Sequence, residues 1–219
     1  MKKVKIELVY KTVKDGEVAF ISDERMVKDA ILIAKDLQKT GRVKKIHFTD
    51  ERGTDWTLKQ LEKYITEIKE EPHHIIVYFD GGFDLKNKTA GLGCVIYYEQ
   101  NDRKYRLRKN ALVEGLVSNN EAEYAALHLG LKELELLGVH HLPVTFVGDS
   151  LVVVHQLNGE WPCYEEELSA WIDRIEEKVE VLGIIPTYEA ISRKQNREAD
   201  HLASQALKGL EITSEKEID

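Results

Sequence analysis

Four acidic residues in the last two-thirds of the chain each lie in a local pattern suited to a metal-binding carboxylate. Asp80 follows the apolar run 75–79, and Asp149 closes the run 144–148, so both come at the ends of predicted strands. Glu123 and Asp200 fall on predicted helices. Converging carboxylates repel one another unless cations neutralise them. A fold that brings these four together therefore predicts a divalent-metal site.

The composition predicts a globular cytoplasmic protein. Of 219 residues, 42% are hydrophobic, which is enough for one large domain or two modest ones. No stretch approaches the ~20 apolar residues of a membrane span, and no apolar run follows the lysines near the N-terminus, so we expect neither a membrane segment nor a signal peptide. Cys94 and Cys163 lack the spacing of metal ligands, which favours a reducing cytoplasm.

The charge is distributed unevenly along the chain. The formal net charge is -8, but residues 1–72 carry 16 basic and 14 acidic residues, whereas the remainder carries 15 and 25. The four carboxylates therefore lie in the acidic part, and the N-terminal part repels phosphate less.

Residues 1–72 are predicted to form a small α+β domain. Strands are expected at 3–10 and 17–21 around a turn at Asp15-Gly16, followed by a helix and a further strand. The pattern Thr57-x-x-Gln60 is typical of a capping box that opens a second helix. Pro72 marks the predicted domain boundary.

Residues 73–210 are predicted to form an α/β domain, a mixed five-stranded sheet with helices on both faces. Three strands with turn-rich links come first and indicate an antiparallel meander. The remaining elements alternate between helix and strand, in the order βββαβααβα. Residues 211–219 are polar and acidic, and we expect them to form a frayed tail.

Residues 74–208 resemble ribonuclease H of type 1, within the retroviral-integrase-like superfamily. The resemblance rests on four motifs that occur in order. They are strand-Asp-Gly at Asp80, Asn-Asn-x-x-Glu ending at Glu123, strand-Asp-Ser at Asp149, and Asn-x-x-x-Asp ending at Asp200. The segment from Asp149 to Gly159 adds a further family-like stretch.

The resemblance implies endonucleolytic hydrolysis of the RNA strand of an RNA–DNA hybrid, with two Mg²⁺ or Mn²⁺ ions and Asp80, Glu123, Asp149 and Asp200 as catalytic ligands. Hard carboxylate oxygens suit these metals. Two such ions, ~3.5–4 Å apart, activate a water and stabilise the leaving oxygen. By the resemblance, Asp80 bridges both ions, Glu123 and Asp149 complete one, and Asp200 completes the other. Glu123 would also lie near the ribose 2′-hydroxyl, which distinguishes RNA from DNA.

Substrate contacts are expected from residues around the carboxylates. Asn119-Asn120 could also serve only as an N-cap for the following helix, and Arg193 and Lys194 could be plain loop charges. The predicted set is Gly81, Gly82, Asn119, Asn120, Ser150, Arg193, Lys194 and Asn196.

The sequence departs from the family pattern in three places. Leu151 stands where many relatives have a polar residue that reads the minor groove. The loop 192–196 has no histidine, so a basic residue there would have to assist product release. The basic protrusion with which some members grip the hybrid is missing, and 159–162 lead directly into an acidic helix.

Other readings remain open. The protein could be a nucleic-acid-binding or regulatory module with weak or no turnover, or a 3′–5′ exonuclease of the same superfamily, although the Asn-Asn-x-x-Glu motif disfavours the exonuclease. Residues 1–72 could bind the hybrid, bind a protein partner or self-associate. His73-His74 and His140-His141 fall at element boundaries without a partner spacing, and we interpret them as structural.

Overall fold

The computed structural model describes residues 2–14 and 16–219, so Asp15 of the predicted first turn lies outside the described residues. The chain divides into two compact units, Met1–Glu70 and Glu71–Asp219. Among the described helices, none is long and apolar enough to cross a membrane.

The N-terminal unit is an antiparallel sheet with two helices. Its sheet order is β2-β1-β4-β5, and the short β3 also pairs with β1. The strands are β1 (Lys3–Lys11), β2 (Glu17–Ile21), β3 (Arg25–Met26), β4 (Val43–Asp50) and β5 (Asp55–Trp56), and the helices are α1 (Val27–Lys39) and α2 (Leu58–Glu70).

The core of this unit follows from strand and helix periodicity. Val4 and Ile6 alternate with exposed lysines along β1, and they pack with Ala30, Phe48 and Leu61. The predicted capping box is confirmed. The Thr57 amide donates to Gln60 Oε1 at 2.8 Å, and the Gln60 amide donates to Thr57 Oγ1 at 3.3 Å.

The C-terminal unit is a mixed sheet flanked by helices, as predicted. The sheet order is β10-β9-β6-β7-β8-β11, in which β6, β9 and β10 run parallel and the other neighbours pair antiparallel. The strands are β6 (His73–Asp84), β7 (Thr89–Gln100), β8 (Arg103–Glu114), β9 (Pro143–Gly148), β10 (Ile185–Ala190) and β11 (Thr213–Ile218). The helices are α3 (Asn119–Leu136), α4 (Leu151–Leu157), α5 (Glu166–Leu182) and α6 (Arg197–Leu207).

The sixth strand, β11, corrects the prediction of a frayed tail at 211–219 and of a five-stranded sheet. β11 pairs antiparallel with β8, from Thr213 opposite Lys109 to Ile218 opposite Lys104. Arg103 Nη1 also bonds Glu217 Oε2 at 3.0 Å. The register places Glu215 and Glu217 opposite Leu107 and Tyr105, and Lys216 opposite Arg106, so directly opposed charges do not explain the pairing. The strand is held by the backbone ladder, by the diagonal ion pair of Arg103 with Glu217, and by the Tyr98 hydroxyl, which donates to Glu215.

Helices α3 and α6 pack on opposite faces of the sheet. Residues of one strand alternate between the faces, and Gly81 approaches α3 whereas Gly82 approaches α6. Gly93 of β7 lets α6 come close, since a Cβ there would lie 2.4 Å from the Ala199 carbonyl oxygen. This close packing brings the start of α6 over Gly93, the ladder partner of Asp80 in the middle of β6.

Candidate active site

The parallel pairing of β6 and β9 brings two of the four acidic residues together. Tyr78 is the ladder partner of Val147. Continuing this register by two residues places Asp80 alongside Asp149, which directly follows the end of β9. Neighbouring strands lie ~4.8 Å apart, so the two carboxylates are within reach of one ion.

Glu123 reaches the same point from the first turns of α3. Ser118 caps this helix by accepting a hydrogen bond from the Glu121 amide at 3.2 Å. Gly81 lies directly against α3 and donates from its amide to Glu123 Oε2 at 3.2 Å. One carboxylate oxygen each of Asp80, Glu123 and Asp149 lie within 4.8 Å of one another.

Asp200, on the first turn of α6, lines the same cleft. It is held by an ion pair with Arg193 in the preceding loop, Nη2 to Oδ1 at 3.0 Å. The Arg193 side chain is 80% exposed, so it can turn away without leaving a buried charge. Asp200 is therefore available to a cation once Arg193 releases it.

Burial and mutual repulsion disturb the titration of two of these carboxyls. Burial, followed by the charges of Asp80 and Asp149, raises the pKa of Glu123 to about 9. Burial, followed by the charges of Asp149 and Asp200, also raises the pKa of Asp80. Both shifts reflect burial first and the unneutralised charge of neighbouring carboxylates second. A set of converging carboxylate oxygens with excess negative charge fits hard divalent cations such as Mg²⁺ or Mn²⁺.

The carboxylates open into a cleft of ≈ 510 Å³. Five of the predicted substrate contacts line it, namely Gly81, Gly82, Asn119, Ser150 and Arg193. Asn120 and Lys194 are not part of its wall. Sequence reasoning missed Ser204 and Leu207, which also line the cleft. They stand four and seven residues after Asp200, so the helical repeat of α6 could have identified them.

Asn196 has a position that does not suit the predicted substrate contact. It is 1% exposed, and its Nδ2 donates to the Phe79 carbonyl oxygen at 2.8 Å. Its Oδ1 is buried without a hydrogen-bond partner among the described residues. Asn196 thus ties the loop before α6 to the residue that precedes Asp80, and it positions Asp80 and Asp200 relative to each other.

One departure from the family pattern, Leu151, lies at the start of α4. Leu151 begins α4 and is exposed, so an apolar side chain stands beside Asp149 and Ser150. Ser150 also accepts a hydrogen bond from the Val153 amide at 3.4 Å, as the cap of α4. Its hydroxyl therefore has a structural partner already.

A family model described as reverse transcriptase-like matches residues 78–206, a span that includes all four carboxylates. The chain belongs to this reverse transcriptase-like family. An uncharacterized protein of Bacillus subtilis (strain 168), YpeP, is 45% identical over 205 residues, which is 93% of this chain and 90% of YpeP. The relative therefore shares both units of the chain.

Solved structures similar to the C-terminal unit are ribonucleases H. RNase H1 from the halophilic archaeon Halobacterium salinarum NRC-1 matches with a TM-score of 0.52 and 25% identity, over 62% of this chain and 98% of that chain. LC11-RNase H1, from compost, solved in complex with an RNA/DNA hybrid, matches with a TM-score of 0.52 and 26% identity, over 62% of this chain and 97% of that chain. The reverse transcriptase-like unit thus has a ribonuclease H-like fold, and the fold and its acidic cluster together indicate a nuclease.

Proposed function

We propose that this protein is a metal-dependent endonuclease that hydrolyses the RNA strand of RNA–DNA hybrids, as type 1 ribonucleases H do. The observation that carries the proposal is the convergence of Asp80, Glu123 and Asp149 within 4.8 Å, with Asp200 in the same cleft. The order of the four motifs along the chain supports the type 1 assignment.

Two divalent cations, Mg²⁺ or Mn²⁺, would be held by the four carboxylates. When bound, such ions supply a water nucleophile at neutral pH and neutralise charge at the leaving oxygen. The protein contributes the fixed placement of its ligands. Gly81 orients Glu123 through its amide, and Asn196 anchors the loop that leads to Asp200 through the Phe79 carbonyl. Such fixed ligands need no rearrangement during the reaction.

The cleft wall supports an RNA-containing substrate. Asn119 and Ser150 present polar groups beside the carboxylates, and Arg193 is the basic side chain of the cleft. Recognition of RNA through its 2′-hydroxyl requires such polar groups close to the scissile strand. The solved relative LC11-RNase H1 holds an RNA/DNA hybrid, which supports the choice of hybrid over other duplexes.

A second candidate function is a nucleic-acid-binding module with weak or no turnover. Three observations favour it. The Arg193–Asp200 ion pair competes with a cation for Asp200, and exposed Leu151 replaces a polar contact. The acidic balance of residues 73–219 also weakens attraction to phosphate.

Both cysteines are free thiols, and Cys94 is buried. Burial raises the pKa of the Cys94 thiol well above its usual range, so this thiol is unreactive. The free state of both cysteines is compatible with the proposed reducing cytoplasmic setting.

The deciding experiment is a cleavage assay with three end-labelled substrates of one sequence: an RNA–DNA hybrid, a double-stranded RNA and a double-stranded DNA. Each is incubated with Mg²⁺, with Mn²⁺ and with a chelator. The expected result is cutting of the RNA strand of the hybrid alone, only with metal, leaving 5′-phosphate and 3′-hydroxyl ends.

The same assay separates the alternatives. Hybrid binding without cutting in either metal would support the binding module and overturn the enzyme proposal. Stepwise removal of single nucleotides from a 3′ end would instead indicate an exonuclease.

A further inference from the structure

The first strand of the C-terminal unit is irregular at its start. His73 pairs with Glu99 of β7, whereas Ile76 pairs with Tyr97, so β6 has one more residue than β7 between these two pairs. His74 lies in this bulge with a φ of 53°, a left-handed conformation that a non-glycine residue adopts uncommonly. Consecutive residues of a regular strand point to opposite faces, but a bulge re-aims a side chain.

The bulge brings the two imidazoles to one carboxylate. The ring centroids of His73 and His74 are 4.9 Å apart. His74 Nδ1 is 3.1 Å from Glu99 Oε2, and His73 Nε2 is 3.8 Å from the same oxygen. One nitrogen from each ring and one Glu99 oxygen lie within 4.8 Å of one another.

A backbone contact fixes the tautomer of His73. Its Nδ1 lies 3.0 Å from the carbonyl oxygen of Glu71, which can only accept, so Nδ1 carries a proton and donates. In a neutral ring Nε2 is then left as an acceptor directed at Glu99. Either a proton or a metal cation between these two acceptors makes the contact favourable, so the arrangement fits a metal ion as well as a protonated imidazole. A histidine that donates its other nitrogen to a carbonyl in this way is the usual arrangement of a metal ligand.

We propose that His73, His74 and Glu99 form a binding site for a transition-metal ion of the zinc class, separate from the carboxylate cluster. Bonds of about 2.0–2.1 Å in a tetrahedral site place ligand atoms roughly 3.3 Å apart. The two distances to Glu99, 3.1 and 3.8 Å, lie on either side of that spacing. Imidazole nitrogens suit Zn²⁺ and Co²⁺ and do not suit Mg²⁺.

The site would have three protein ligands and one position open to water. His74 and Glu99 are partly exposed, with 64% and 37% of their side chains accessible, so an ion can enter from solvent. Binding would hold the bulge of β6 against β7, at the beginning of the C-terminal unit. The expected role is therefore structural, because an ion that binds only the folded arrangement stabilises it.

The test is a Co²⁺ titration of the full-length protein, followed by visible absorption, in excess Mg²⁺ that occupies the carboxylate cluster. We expect one equivalent of Co²⁺ to give the absorption bands of a low-coordinate nitrogen-containing site, and Zn²⁺ to displace it. His74→Asn and Glu99→Gln should each weaken Co²⁺ binding at least about tenfold. Loss of a residue that only hydrogen-bonds to a ligand already lowers metal affinity by about that factor, and loss of a ligand should cost no less. Asparagine is chosen because it tolerates the left-handed backbone of this position.

A matched control is His155→Gln. His155 Nδ1 lies 2.5 Å from Glu160 Oε2 and forms a histidine–glutamate pair like that of His74, but the pair is not part of a three-residue cluster in the described chain. Its loss should leave Co²⁺ affinity unchanged. Zn²⁺ should also raise the melting temperature of the wild type and of His155→Gln, and not that of Glu99→Gln.

Two results would overturn the proposal. One is the absence of the Co²⁺ bands in the wild type. The other is equal Co²⁺ affinity in the wild type, His74→Asn and Glu99→Gln. If His74→Asn does not fold without metal, as measured by circular dichroism, the isosteric Glu99→Gln decides alone.

Discussion

The amide of Gly81 lies 3.2 Å from Glu123 Oε2, and this contact exists because residue 81 has no side chain. A Cβ at Gly81 would lie 2.2 Å from the Ala122 carbonyl carbon, inside the backbone of α3. The distance between strand and helix is therefore set at this residue, and with it the distance between Asp80 and Glu123.

Gly81→Ala should push α3 away from β6 and separate the two carboxylates. Overpacking of this kind costs roughly 1–3 kcal/mol, so we expect a lower urea midpoint together with a loss of metal-dependent cleavage. Gly82→Ala is the matched control for the urea midpoint, because its Cβ would meet only Leu207 Cδ1 at 3.4 Å. Equal effects of the two substitutions would contradict this account.

Asp149→Asn should remove nearly all turnover, by roughly 100-fold or more, the scale of losing one electrostatic contact at a reacting centre. Hybrid binding should persist, since phosphate repulsion falls. The metal-free variant should also be more stable than the wild type, because Asp149 raises the pKa of both Asp80 and Glu123. Asp173→Asn, in an exposed position of α5, is the control. Near-wild-type cleavage by Asp149→Asn would disprove the proposed site.

The metal-free protein should lose stability as pH rises. The folded-state pKa of Glu123, about 9, lies above its unfolded-state value. The protonated Glu123 carboxyl therefore stabilises the folded state. This stabilisation is complete below about pH 4, and it is lost as pH rises through the folded-state pKa. Mg²⁺ should consequently raise the melting temperature more at high pH than at low pH.

Melting curves with chelator and with Mg²⁺, across a pH series, measure both effects. Glu123→Gln isolates the contribution of this carboxyl, because the amide does not titrate. Its metal-free stability should depend less on pH than that of the wild type. If the melting temperatures of the two proteins change equally with pH, Glu123 is not the source of the pH dependence.

Arg193→Ala should free Asp200 from its ion pair and lower the Mg²⁺ concentration needed for cleavage, while raising KM for the hybrid. Lys194→Ala, its exposed neighbour, removes the same charge from the loop without touching Asp200, and it should change KM alone. Single-turnover cleavage should survive in both. Complete loss of single-turnover cleavage in both variants would place the two residues in the chemical step.

Deleting residues 1–70 should leave a folded, metal-dependent nuclease that binds hybrid more weakly. We propose that the N-terminal unit offsets the acidic balance of the remainder. Affinity across a salt series measures this, since each lost phosphate contact changes the log–log slope by roughly 0.9 for duplex DNA. Equal affinities and slopes would instead assign residues 1–70 to a protein partner or to self-association.

The sequence predicted the architecture well where periodicity and motifs are local. The apolar runs before Asp80 and Asp149 lie in strands β6 and β9, although β6 continues past Asp80 to Asp84 instead of ending there, and Thr57 and Gln60 form the predicted cap. The prediction of a frayed tail at 211–219 failed because the structure of this segment depends on a partner strand. Residues 213–218 lack an apolar strand pattern, and their pairing depends on the backbone ladder with β8 and on side-chain contacts with Arg103 and Tyr98, which the local sequence does not show.

Prediction of the site from the sequence was limited in the same way, by contacts between residues that are distant along the chain. The motif at Asn196 identified the correct loop. However, the burial of Asn196 and its hydrogen bond to the Phe79 carbonyl depend on the tertiary structure and cannot be seen in the local sequence. His73 and His74 carry no spacing signal because Glu99 reaches them from the neighbouring strand, through a bulge. The family motifs identified Asp80 and Asp149 on neighbouring strands, but a histidine pair outside any motif gives no indication of the partner that the register of β6 and β7 supplies.

β11 also determines where this protein can be shortened. The family match ends at residue 206, and a chain cut there would lose the outermost strand of its sheet. The free amides and carbonyls of β8 would then face solvent along a long, regular edge, which other chains can join. The alternating charges of Glu215, Lys216 and Glu217 protect that edge in the full-length chain, and solubility is thus encoded beyond the segment that defines the family.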